Sequence, residues 1–125
     1  MAMIRFHQEG KYMKLVVFNV GSALCVYAEH QTTRIVFDIG KGNNFSPVND
    51  FLLPLYEKRG EHRLKNRNNR YGISQLIVSH PHKDHISDIQ EFDKNFYAHL
   101  LTTPNSKSPN GNPQTINWRK ITTPD

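Results

Sequence analysis

The sequence predicts one small α+β domain, of the α/β class in its broad sense, with a mainly antiparallel or mixed sheet flanked by helices. Three observations point there. Short β-branched and aromatic runs separated by turn residues fill the first forty positions, and a further isolated apolar run of strand length covers residues 73–79. Two segments, after Ser46 and after His85, place apolar residues at helical spacing. The chain's 125 residues, 37% hydrophobic, suffice for one core and not for two.

Taken in order, residues 1–13 alternate weakly through Ile4 and Phe6 and form a leader or an edge strand. Residues 14–20, K-L-V-V-F-N-V, read as a strand that stops at Gly21, where the chain can turn without a Cβ clash. Residues 23–28 form a second strand, Glu29, His30 and Gln31 a polar turn, and residues 33–39 a third strand. Short connections make these an antiparallel meander. Ser46 and Pro47 resemble an N-cap and first helical residue, opening a short helix with Phe51, Leu52 and Leu55 on one face and a kink at Pro54. Residues 60–70 are polar and basic and read as a surface loop. The strand over residues 73–79 leads directly into H-P-H-K-D-H, and Ile86, Ile89 and Phe92 or Phe96 predict one amphipathic helix from His85 to about Asn95. A strand over residues 99–102, a turn-rich loop over 104–113 and a last strand near 116–121 complete the reading.

The composition limits what the chain can be. Its single cysteine, Cys25, excludes an internal disulfide and a Cys-pair zinc site, and its apolar neighbours read it as a core side chain. No apolar run approaches the roughly 20 residues of a membrane-spanning helix, and no apolar stretch behind a basic start marks secretion; a cytoplasmic address and no membrane partner are expected. The net charge is +5, and six cations (Lys58, Arg59, Arg63, Lys65, Arg67 and Arg70) crowd one stretch that Glu57 and Glu61 only partly offset. Such a stretch either solubilises a loop or contacts nucleic acid. No aromatic interleaves it before Tyr71, which argues against base stacking.

Four metal-ligating residue types fall within six positions: His80, His82, Asp84 and His85. Residues two apart on an extended turn can present both imidazoles to one ion, leaving Asp84 and His85 for a neighbour. Imidazole with carboxylate suits zinc, iron or manganese and a site that also holds reactive water. Packing gives no reason for three imidazoles at a strand end. His7, His30, His62 and His99 read as surface residues.

H-P-H-K-D-H resembles the H-x-H-x-D-H signature of the metallo-β-lactamase superfamily, and F-N-V-G, V-F-D-I-G and L-I-V-S-H-P-H-K-D-H-I resemble the ComEC-type hydrolase domain across residues 14–100. The resemblance implies an αββα sandwich, here its N-terminal half. It implies that His80 and His82 ligate one divalent ion and Asp84 and His85 a second, zinc or else manganese or iron. It places Asp38 behind the metal loop as a support and gives Asp84 a catalytic part in orienting water. The implied reaction is hydrolysis by metal-bound hydroxide of a small-molecule or phosphodiester substrate. Gly21 is followed by Ser22, Ala23 and Leu24 rather than by the subgroup's Q-G-D type stretch.

The superfamily also uses a distant His, a bridging Asp and a last His, and His99, fourteen positions past His85, is too near to match. The expectation is therefore a partial domain, with an uncovered apolar sheet face that favours self-association. A truncated, non-catalytic metal-binding or interaction module is the alternative. Lys83 projects from the motif loop and reads most simply as a solvated side chain.

Overall fold

The computed structural model describes residues 2–8, 11–80 and 82–102, with side chains from residue 13 onward. The loop and strand expected over 104–113 and 116–121 lie outside the described residues. Among the described residues, six strands form one mixed sheet in sequence order: β1 (Ala2–Gln8), β2 (Lys11–Val17), β3 (Cys25–His30), β4 (Thr33–Ile39), β5 (Tyr71–Ile77) and β6 (Phe96–Thr102). The first four pair antiparallel, and β4, β5 and β6 pair parallel. The expected α+β class and meander are therefore present. The leading segment is a strand, and β2 begins three residues earlier than expected.

Parallel neighbours need crossovers, and both crossovers here carry helix. Between β4 and β5 runs a π-helical turn, Pro47–Leu52, that tightens into α1 (Leu53–Lys58). Ser46 caps it, its Oγ accepting the Asn49 N–H at 3.0 Å. Pro54, which has no N–H to donate, sits just after the change of helical pitch. Between β5 and β6 lie α2 (Lys83–Ile86) and α3 (Ile89–Asn95). The single helix expected from His85 to Asn95 is thus two. Asp88 breaks it: its N–H donates to the Ile39 carbonyl at 2.8 Å and its carboxylate turns away to Ser46 and Val48.

Crossovers of one hand moving in one direction along a sheet place their helices on the same face. Accordingly Val48, Leu52, Tyr56, Ile86, Ile89 and Phe92 pack with Val16, Tyr27, Val36, Ile73, Leu76 and Phe96 in one core. Cys25 is buried there with no exposed surface. Strand alternation sends the intervening residues to the opposite face. In register across it lie Leu15, Ala28, Ile35, Gln75 and Leu100, beside Val17, Val26, Phe37, Ile77 and Thr102. Phe37 and Leu100 remain 37% and 55% exposed. No described helix covers this face, and no described helix is long and apolar enough to cross a membrane.

The segment expected as a plain basic loop has a structure of its own. Leu64 and Arg70 form an isolated bridge around a single 3-10 turn. Arg63 stacks on Tyr71 at 4.4 Å, Arg67 on Tyr97 at 4.6 Å, and Arg70 pairs with Asp93 at 3.1 Å. Arg59 pairs with Glu29. Most of its guanidinium groups therefore brace the N-terminal edge of β5 and β6.

Candidate metal centre

The geometry starts with a bulge. Cys25 pairs with Ile39 and Val26 with Phe37, so Asp38 is the extra residue in β4. Its φ of 55° lies in the left-handed region, which Asp tolerates better than most residues. The bulge breaks alternation, so Asp38 and Ile39 are both buried in succession. The Asp38 carboxylate is thereby aimed across to the end of the parallel neighbour β5.

There it meets the motif. Asp38 Oδ1 accepts the Ser79 N–H at 2.7 Å, and Oδ2 accepts the Ser79 hydroxyl at 2.5 Å and His85 Nδ1 at 2.9 Å. A carboxylate can only accept, so Nδ1 of His85 donates to Asp38, and Nε2 is the nitrogen left to face outward. Nε2 faces Asp84, 3.6 Å from its Oδ2. A carboxylate behind one imidazole nitrogen, with the other nitrogen free, is the usual support of a metal-ligating histidine.

The His80 ring neighbours the rings of both His82 and His85. The ring centroids of His80 and His82 are 5.6 Å apart and those of His80 and His85 5.4 Å apart. Two imidazoles on one tetrahedral zinc have centroids roughly 5 Å apart, given Zn–N near 2 Å. The spacing fits co-ligands. The donor atoms do not converge: among the described residues no group of three or more His, Cys, Asp or Glu encloses an ion. His80, His82 and Asp84 are exposed, so their side chains can turn without repacking the core. The residue chemistry and spacing fit a divalent ion, and binding requires those three side chains to close.

The structure brings together all five residues singled out in the sequence, His80, His82, Asp84, His85 and Asp38, at the carboxyl ends of β4 and β5. Ligands of parallel sheets bind at such ends. His30, His62 and His99 do not join them. Comparison of the chain with models of known families, with curated proteins and with solved structures finds no match.

Three contributors went unrecognised in the sequence. Ser79 precedes the motif and ties it to Asp38. Gly40 has no Cβ because one would overlap the Asp84 carbonyl oxygen; that oxygen also accepts the Leu24 N–H at 3.2 Å. Asp88, 1% exposed, accepts from Ser46 Oγ at 2.7 Å and from the Val48 N–H at 3.0 Å. Burial pushes its carboxyl above the usual range, although these two hydrogen bonds oppose the shift. V-F-D-I-G carried the only signal for Gly40, and nothing local marked Ser79 or Asp88.

A cavity of about 770 Å³ adjoins the motif, walled by Asn19, Ser22, Lys41, Asn43, Lys83 and Asp84 among others. It lies where β2 and β4 end and β3 begins.

Proposed function

We propose that this chain carries the first half of a dinuclear metal site of the metallo-β-lactamase type and serves hydrolysis, with phosphodiesters as the substrate class. The observation that carries the reading is the Asp38–His85 pair, which turns Nε2 toward Asp84, with the His80 ring beside His85 and the His82 ring beside His80. His80 and His82 would hold one ion, and Asp84 and His85 the other. Divalent ions, when bound, acidify water and polarise the electrophilic centre. The chain's own part is to fix the tautomer of His85, to hold the loop against β4 through Ser79, and to offer the Asp84 carboxylate as acceptor for the proton of attacking water. The αββα sandwich and the ComEC-type relationship belong to this proposal. They are supported by the motif and by the position of V-F-D-I-G behind it.

A second reading is a metal-binding or interaction module without turnover, favoured because His99 stands too near His85 to match the superfamily's distant histidine. Metal content per chain separates the readings. With its remaining ligands supplied in trans by a second copy, the chain should hold about two ions by elemental analysis, lost in the His80→Ala/His82→Ala double variant, together with hydrolysis of bis(p-nitrophenyl) phosphate. Bound metal without turnover selects the module, and no bound metal removes both.

A further inference from the structure

The cavity beside the motif has a charge balance that the metal cluster does not explain. Two cations line it, Lys41 and Lys83, against one carboxylate, Asp84, which is turned toward His85. Both lysines are exposed, and among the described residues neither is ion-paired. Amide side chains of Asn19, Asn43 and Asn44 supply uncharged donors on the same wall. A volume of about 770 Å³ suits a small molecule or a nucleotide segment.

The walls are held in place. The Lys41 N–H donates to Ser87 Oγ at 2.8 Å, the Gly42 N–H to the Phe45 carbonyl at 2.9 Å, and the Leu24 N–H to the Asp84 carbonyl at 3.2 Å. Lys41 follows β4 and Lys83 opens α2, so two crossovers deliver the two lysines to the lining of one cavity beside the motif. The basic segment 58–70 is placed differently. It precedes β5, whereas the motif follows it, and seven strand residues at ~3.3 Å each separate the two ends by about 20 Å. Four of its cations are already engaged with Glu29, Tyr71, Tyr97 and Asp93.

We infer that this cavity is a phosphate subsite, in which Lys41 and Lys83 hold a phosphate of the substrate next to the bond that is hydrolysed. The inference rests on the hydrolase reading for its catalytic purpose, but not for binding. It makes a substrate with a second phosphate, such as a phosphorylated dinucleotide or oligonucleotide, better than an isolated diester. The cationic recognition near the metal is thus assigned to two separate lysines and not to the cation-rich segment.

Isothermal titration of the full, metal-free chain with 5′-phosphorylated dithymidine tests it. Lys41→Ala and Lys83→Ala should each weaken binding about tenfold, as expected for loss of one charge-assisted contact. The double variant should abolish binding, Lys41→Arg should restore most of it, and Lys65→Ala should leave it unchanged. The slope of log affinity against log salt should fall by about 0.7 per lysine removed. Because both lysines are exposed, thermal melts of the variants should overlay that of the parent. No binding by the parent chain, or unchanged binding by the double variant, overturns the inference. A chain that binds the probe through both lysines but hydrolyses no diester supports the subsite and removes the hydrolase reading. Hydrolysis of bis(p-nitrophenyl) phosphate with probe affinity indifferent to both lysines overturns the subsite and leaves that reading intact.

Discussion

Nδ1 of His85 lies 2.9 Å from Oδ2 of Asp38, so a histidine of the H-P-H-K-D-H motif is oriented by a carboxylate 47 residues earlier, at the end of the strand that pairs parallel with β5. The pair makes the metal loop dependent on the bulge in β4. Asp38→Asn keeps the size of the side chain but can donate toward Nδ1, which favours the wrong tautomer. Zinc affinity should fall between about 10-fold and 100-fold, measured by competition with a chromophoric chelator. An unchanged affinity would remove Asp38 from the site.

Gly40 is required by space and not by backbone freedom. A methyl group there would overlap the Asp84 carbonyl oxygen and crowd the Ala23 side chain. Gly40→Ala should lower stability by about 1–3 kcal/mol and displace the turn that carries Asp84. Urea denaturation reads the first effect and metal stoichiometry the second; a folded variant with full metal content would contradict the packing.

At the other end of the sheet, Glu29 accepts from Tyr27 at 2.6 Å and pairs with Arg59 and Arg34. Burial works against its ionisation, but hydrogen bonds from Arg59 and Tyr27 and the charges of Arg59 and Arg34 outweigh it and hold the carboxyl below its ordinary value of 4.5. A lowered folded value means stability that is present above pH 4.5 and lost as pH falls through the folded value. Glu29→Gln should flatten this acid limb and cost about 1–3 kcal/mol at pH 7. Denaturant midpoints between pH 3 and 7, recorded for both chains, decide it.

The sheet face opposite the helices presents Leu15, Val17, Val26, Ile35, Phe37, Ile77 and Leu100 in adjacent registers. Gln75 and Thr102 interrupt this face only at β5 and β6, and an exposed apolar patch of this kind favours association. Sedimentation velocity should show concentration-dependent oligomers of the chain, and Phe37→Lys with Leu100→Lys should shift them toward monomer while the melting temperature changes little. Monomer at all concentrations in the parent chain would show that the face is not adhesive.

The strands, the N-cap at Ser46 and the cluster of His80, His82, Asp84 and His85 were legible in the sequence because each is written within a few residues, as β-branched runs, a capping pair and a dense motif. Boundaries moved by two or three residues where turn and strand residues share composition, as at β2 and β5. The helix after the motif divided because Asp88 is worth more to a distant partner, the Ser46 cap and the Val48 N–H, than to its own helix. The arginines of residues 58–70 looked solvated because their partners, Glu29, Tyr97 and Asp93, lie 23 or more residues away or on other elements.

By itself, then, the sequence determined the α+β class, most of the strands and the crowding of His80, His82, Asp84 and His85 at one strand end, all of which follow from local spacing and residue chemistry. Only the tertiary structure decided that Asp38 stands behind His85, that Gly40 makes room for Asp84, and that Lys41 and Lys83 share a cavity while the basic segment sits at the far end of β5. Those relations depend on parallel strand pairing and crossover placement. Such pairing joins residues tens of positions apart, and it is set by how the whole apolar face packs and not by any one segment.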